Sequence, residues 1–100
     1  MQHFLYVLRL VARLHVQGAW TAADNKAVAD HFQRLKLATE AGTVLLAGRT
    51  AEPLDKTFGI VVFEATDEAA ARTFMESDPT VAAGVMTATL HPYSVALLRT

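Results

Sequence analysis

Two hydrophobic periods alternate along this chain of 100 residues, and their order restricts the fold more than any other feature of the sequence. Alternating or short apolar runs predict β-strands over residues 3–16, 43–47, 58–65 and 85–93. Apolar residues at every third or fourth position predict α-helices between Thr21 and Gly42 and between Thr66 and Ser77. The order strand, helix, strand, strand, helix, strand is that of a ferredoxin-like βαββαβ subunit of the α+β class.

Short local signals predict where these elements begin and end. Thr21 with Asp24 resembles a helix-capping box, and Gly42 can supply a left-handed cap at the end of the same helix. Residues 49–57 lack periodicity and predict a surface loop. A short fifth strand is expected over residues 94–98.

The charge balance and the absence of cysteine exclude several classes of partner. The chain has nine Lys and Arg and ten Asp and Glu. Its net charge of -1 is too close to zero for electrostatic binding of a nucleic acid or an anionic membrane. Without cysteine the chain has neither a thiol nucleophile nor a thiolate metal site. No apolar run approaches the roughly 20 residues that span a bilayer. We expect one cytoplasmic domain over residues 1–100.

The first predicted strand has two different faces. Its even positions are apolar, whereas its odd positions mix Leu5 and Val7 with Arg9. Since both helices are expected to cover one face of the sheet, the other face is left bare. We expect a second copy of the chain to cover it, which gives a homodimer or a higher oligomer.

His31 is the first candidate for chemistry. It falls on the apolar side of the first predicted helix, where a neighbouring carboxylate would make it a general base. The alternative is a histidine that packs against the sheet and hydrogen-bonds a backbone carbonyl. Periodicity alone does not decide between these two interpretations of His31.

Asp78 is the second candidate, because a carboxylate at the negative end of a helix is electrostatically unfavourable without a nearby cation. The alternative is structural. Asp78 followed by Pro79 is a preferred start for a new helical turn over residues 80–83, so capping by itself explains the residue.

Three further side chains are candidates for contact with a ligand. Tyr6 and Tyr93 can donate hydrogen bonds into a pocket, although half-buried tyrosines often do so for structural reasons. Arg9 can hold an anionic substrate if its face lines a cavity, and is otherwise solvated or paired across a subunit interface. None of the four histidines has the spacing of a metal site, so we expect no metal.

Several short segments occur together in a fixed order. They are His31-Phe32-Gln33-Arg34-Leu35, Ala41-Gly42, Ala47-Gly48, Gly59, Asp78-Pro79 with Gly84, and Pro92-Tyr93. In this set and over nearly its whole length, the sequence resembles the YCII-related (YciI-like) family. The resemblance implies a dimeric α+β barrel of ferredoxin-like subunits, with His31 and Asp78 as an active-site pair.

The sequence departs from the family pattern at three positions. Arg49 stands where proline usually follows Ala-Gly, Thr80 where an aromatic residue often follows Asp-Pro, and Tyr93 where tryptophan is common. Because the resemblance implies that these positions line or close the pocket, Arg49 and Tyr93 join Tyr6 and Arg9 as predicted substrate-binding residues.

The leading hypothesis is an enzyme without a cofactor. His31 takes a proton from a small enolisable or phenolic molecule, Asp78 orients the ring, and elimination or isomerisation follows. The main alternative is a non-enzymatic dimer that binds a small ligand or serves as a scaffold. A cofactor-free monooxygenase is a third hypothesis.

Overall fold

The computed structural model describes residues 1–99; Thr100, which the domain prediction includes, lies outside the described residues. The strands are β1 (Gln2–Leu10), β2 (Val44–Arg49), β3 (Gly59–Ala65) and β4 (Met86–Tyr93), and the helices are α1 (Ala22–Glu40), α2 (Glu68–Glu76) and α3 (Pro79–Ala82). The strands form one sheet in the order β2-β3-β1-β4, with every neighbouring pair antiparallel. The predicted α+β class and ferredoxin-like topology are confirmed.

The helices cover one face of this sheet and leave the other bare. On the covered face, the even positions Phe4, Tyr6 and Leu8 of β1 are buried and share a core with Leu35 of α1 and Met75 of α2. On the bare face, the odd positions of β1 are only partly buried and end at an exposed arginine. The alternation in the first strand predicted this division.

The first strand is shorter than its alternation predicted. It ends at Leu10 rather than near residue 16, and two short 3₁₀ turns follow at Ala12–His15 and Gln17–Ala19. Leu14, in the second half of the apolar pattern, instead packs into a small core and is 0% exposed. The indole nitrogen of Trp20 donates to the Leu14 carbonyl at 3.1 Å, which fixes the turn. The alternation of apolar residues therefore continues past the end of β1, because Leu14 is buried in a turn rather than in a strand.

Helix α1 begins at the predicted capping box. The Thr21 hydroxyl accepts from the Asp24 amide and the Asp24 carboxylate accepts from the Thr21 amide. Asp24 also accepts both terminal nitrogens of Arg13, at 2.8 and 2.9 Å. This ion pair holds the turns after β1 against the start of α1. Gly42, with φ +87°, follows the helix as predicted.

The inward side of α1 is marked by the side chains that it buries. Ala27 and Leu35 are buried and His31 is partly buried, whereas Phe32 is 67% exposed. His31 therefore lies on the inward side of the helix, as predicted. Leu37 is exposed.

Asp67 caps α2, because its carboxylate accepts the Ala70 amide at 2.8 Å. One prediction about the second half of the chain needs correction. Residues 94–98 form no strand; β4 ends at Tyr93, just after the Pro92 that lacks a backbone donor. Among residues 1–99, no helix has both the length and the hydropathy to cross a membrane.

Candidate active site

Asp78 lies at the junction of α2 and α3, where it is 0% exposed. It caps α3, with Pro79 in the first helical position, and its Oδ1 accepts from both the amide and the hydroxyl of Thr80, at 3.0 and 2.7 Å. The capping role predicted from the Asp-Pro pair is thus present. Capping uses only part of the hydrogen-bonding capacity of the carboxylate, which has further hydrogen-bond partners on two other elements.

The first of these partners is His31. Its Nδ1 lies 2.8 Å from both carboxylate oxygens of Asp78, across 47 positions of sequence. Helix α1 carries the histidine on its inward side and packs directly against α3, which brings the two residues together. The His31 side chain keeps 15% of its surface exposed. One edge of the ring thus meets a buried carboxylate while part of the ring remains accessible.

Tyr6 is the second partner. Its hydroxyl donates to Asp78 Oδ2 at 2.7 Å, and the residue is 0% exposed. The ring stands edge-on to Phe63 and Phe74, with centroids 5.6 and 6.2 Å away, so packing fixes its orientation. The structure therefore places Tyr6 behind the histidine, where it holds the carboxylate.

These hydrogen bonds determine the protonation of Asp78. Burial raises the pKa of its carboxyl, but the hydrogen bonds from His31, Tyr6 and Thr80 outweigh that effect and lower the pKa to about 2. Burial and the adjacent Asp78 charge raise the pKa of Tyr6 well above its ordinary value. At neutral pH the network therefore contains an ionised carboxylate and a protonated phenol.

The ionised carboxylate selects one tautomer of the histidine. Because Asp78 accepts from Nδ1, the neutral ring carries its proton on Nδ1 and leaves Nε2 with a free lone pair. A ring held this way can accept a proton at Nε2, and the buried negative charge stabilises the imidazolium that forms. The pair has the geometry of a general base and the residue that orients it.

The histidine lines a cavity of about 1090 Å³ that lies between α1 and the sheet and extends at the β2 edge to Leu46 and Ile60 of the bare face. Most of its wall is apolar. The apolar wall residues include Leu35 of α1, Leu8 and Val61 of the sheet, and Phe58, which directly precedes β3. The volume reaches the upper end of the range for small-molecule sites. His31 therefore faces a space that can hold an organic molecule.

The remaining predicted site residues are divided between the two faces of the sheet. Arg49 lines the cavity that His31 lines. Arg9 is exposed on the bare face, with its guanidinium 5.0 Å from the centre of the Phe58 ring. Tyr93 is half-exposed on β4 opposite His3. Neither Arg9 nor Tyr93 is among the described residues that line the cavity, and their roles in substrate binding stay predictions.

No individual role was predicted for Arg34 from the sequence. Its guanidinium lies 4.2 Å from the centre of the Phe74 ring, and its Nη1 is buried without a hydrogen-bond partner among the described residues. Its positive charge opposes the rise in the pKa of Tyr6. The signal that could have found it is its position three residues after His31, which puts both on one side of the helix.

The other histidines lie outside this network. His3 is 3.6 Å from Glu64, His15 bonds the Leu10 carbonyl, and His91 bonds the Thr89 hydroxyl. Within residues 1–99, no group of three or more His, Asp or Glu side chains is arranged to hold a metal ion.

Comparison with known proteins supports the fold. The family model of the YCII-related domain matches residues 5–90. A similar solved structure is 5-chloro-2-hydroxyhydroquinone dehydrochlorinase from Burkholderia phenoliruptrix AC1100, in complex with 2,5-dihydroxybenzoquinone. The two chains share 15% identity with a TM-score of 0.61, over 92% of this chain and 93% of the other. A comparison with curated protein sequences finds no match.

Proposed function

This chain belongs to the YCII-related family, and from that premise we propose that it is a small-molecule enzyme in which His31 is the general base and Asp78 orients it. The observation that carries the proposal is the contact of Nδ1 with both oxygens of a fully buried carboxylate, on a ring that lines a cavity. A histidine that served only packing would not need a buried charge beside it, since a neutral acceptor is less costly to bury.

The proposed step is a proton transfer to Nε2. The base takes a proton from an O–H or an activated C–H of an enolisable or phenolic molecule, and Asp78 stabilises the imidazolium. The electron pair left on the substrate then expels a leaving group, or the imidazolium returns the proton to another carbon. The first outcome is an elimination and the second an isomerisation. Both balance without a cofactor.

The structural neighbour suggests which substrates to test first. Its name describes removal of chloride from a hydroxylated aromatic ring, and its bound compound is a dihydroxybenzoquinone. At 15% identity this similarity concerns the fold, so we use the neighbour's reaction only to choose the first substrates for testing.

We further propose that the protein is a homodimer joined through the bare face of the sheet. The centre of that face is apolar, with Leu5 and Val7 of β1 beside Ile60 and Val62 of β3. Leu46 of β2, at the edge of the same face, is 51% exposed. A second copy of the chain would remove this surface from water. A cytoplasmic location also stays a prediction.

A non-enzymatic ligand-binding dimer is the second candidate function. The mostly apolar wall of the cavity favours it, because such a wall can bind a molecule without chemistry. The two functions differ in what happens to a bound molecule. Under this alternative a ligand binds in the cavity and is released unchanged.

The test combines two readouts on the purified protein. Chloride release from 5-chloro-2-hydroxyhydroquinone reports elimination, and deuterium uptake from heavy water by non-chlorinated hydroquinones and small enolisable ketones reports proton transfer. We expect activity in the native protein, its loss in His31→Ala, and a strong decrease in Asp78→Asn. The matched control is His91→Gln, an exposed histidine outside the network, which should retain activity.

Two results would count against the proposed role of His31. Ligands that bind without any exchange or elimination would favour the binding function. Turnover that survives His31→Ala would show that another group is the base. Because His31 is accessible at the cavity wall, we expect the His31→Ala protein to remain folded, and its circular dichroism spectrum checks this.

A further inference from the structure

The charged side chains of the cavity are unevenly distributed. Lys36 and Arg49 contribute positive charge, and Glu40 is the one carboxylate among the described residues of the wall. Within residues 1–99, no carboxylate lies within 4 Å of the charged nitrogens of Lys36 or Arg49. The cavity therefore holds two cationic groups whose charges are not neutralised by a direct ion pair.

The strand register places Arg49 on the cavity side of the sheet. Arg49 is paired with Gly59 on β3, and Gly59 is paired in turn with Leu8 on β1. Residues opposite one another in adjacent strands share a face, and Leu8 belongs to the buried core beneath the helices. Arg49 thus lies on the covered face of the sheet, the same face that His31 approaches from α1.

Gly59 lies opposite this arginine in the sheet. It lines the cavity between Leu8 and Arg49, and a Cβ built on it would meet the Gly48 carbonyl oxygen at 3.3 Å and the Leu8 Cβ at 3.8 Å. A side chain at this position would press on the backbone of β2 and stand over Leu8, so glycine keeps the floor of the cavity flat here. A flat group can lie over the sheet there.

We infer that the substrate is a small, largely apolar molecule that carries one anionic oxygen group, a carboxylate or a phenolate, and that Arg49 binds this group. The inference rests on the proposed function and names the substrate class of the same site. Guanidinium groups bind carboxylate and phenolate oxygens through charge-assisted hydrogen bonds. Arg49 has no competing carboxylate partner among the described residues.

The charges also orient the molecule in the cavity. Asp78 lies directly behind His31, so an anionic group placed at the histidine end would be repelled. The same group at the Arg49 end is attracted, and Lys36 at the wall adds to the positive potential. The acidic O–H or C–H of the substrate is thereby directed towards Nε2. A negative charge that develops during proton removal gains from the same cations.

The test compares benzoate with benzamide, which has nearly the same shape and no charge. Amide NMR titrations of the full chain should show benzoate binding in the cavity and weaker binding of benzamide. Arg49→Gln should weaken benzoate binding roughly ten- to hundredfold, the loss expected for a hydrogen bond to a charged group, and should leave benzamide binding unchanged. Arg72→Gln is the matched control, since Arg72 is an exposed arginine of α2 that does not line the cavity.

Three outcomes would overturn the inference. They are the absence of benzoate-dependent shifts at cavity residues, equal affinity for benzoate and benzamide, and undiminished benzoate binding by Arg49→Gln. None of these measurements involves turnover. A substrate without an anionic group could still react at His31, so this inference and the proposed catalytic role can fail separately.

Discussion

The Tyr6 hydroxyl lies 2.7 Å from Oδ2 of Asp78, and neither residue is exposed to solvent. The contact joins the first strand to the start of α3 across 72 positions of the sequence. It leaves His31 as the accessible member of the network, because the histidine side chain retains 15% exposure. The site therefore consists of a histidine at the cavity and a buried support for it.

Replacing Tyr6 by Phe tests this support. The substitution keeps the ring and removes one donor from the carboxylate, so we expect the pKa of Asp78 to rise above its value of about 2. The lost hydrogen bond to a charged group should also cost about 1.5–3 kcal/mol of unfolding free energy. Carbon-13 NMR of the carboxyl group and urea unfolding measure the two effects.

The control for this substitution is Tyr93→Phe, since Tyr93 is half-exposed and lies on the other face of the sheet. It should change neither quantity. An Asp78 titration that is identical in the native protein and Tyr6→Phe would show that the phenol does not support the carboxylate.

Asp78→Asn should change the response of the fold to acid. The pKa of Asp78 is 3.8 in its ordinary state and about 2 in the folded protein, so its ionised form stabilises the fold above pH 3.8. That contribution is lost as the pH falls from 3.8 towards 2. We expect the variant to melt below the native protein at neutral pH, with the difference in Tm shrinking through this window. A constant difference in Tm across the window would contradict the account.

Leu14→Ala tests the turn that replaced the end of the predicted strand. Because Leu14 is fully buried, the truncation should cost about 2–5 kcal/mol of unfolding free energy. Val16→Ala is the matched control at a position that is 65% exposed, and it should change stability by less than about 0.5 kcal/mol. If the two substitutions cost the same, residues 11–16 do not form the turn described.

Leu46→Glu tests the proposed dimer. Leu46 is 51% exposed on the bare face, so a charge there should leave the subunit folded and disrupt a face-to-face interface. Light scattering with size-exclusion chromatography should report a dimer for the native protein and a monomer for the variant. Leu37→Glu, at a 57% exposed position on α1, should remain dimeric. A native protein that elutes as a monomer would refute the proposed dimer.

The sequence predicted the fold well where one local signal dominated. The capping box at Thr21, the positive φ at Gly42 and the alternation of β1 up to Leu10 all appear in the structure. The prediction failed beyond Leu10 because a buried leucine in a turn continues the same alternation as a strand. It failed at residues 94–98 because an apolar segment does not by itself supply a strand to pair with.

The site was predictable only in part. The helical position of His31 and the Asp-Pro pair at Asp78 were visible locally, but their approach to 2.8 Å depends on the packing of α1 against α3. Tyr6 was predicted to bind substrate, whereas in the structure its hydroxyl donates to Asp78. That hydrogen bond joins residues 72 positions apart and depends on how α3 packs in the fold. No local pattern records that contact.

The central claim is that Asp78 holds His31 with the proton on Nδ1 and the lone pair on Nε2, and nitrogen-15 NMR of the imidazole ring measures this directly. Long-range nitrogen–proton correlations of the neutral ring should identify Nδ1 as the protonated nitrogen in the native protein. Asp78→Asn should alter that pattern. A neutral ring protonated on Nε2 in the native protein would contradict the account, because no lone pair would then be available where the base is proposed to act.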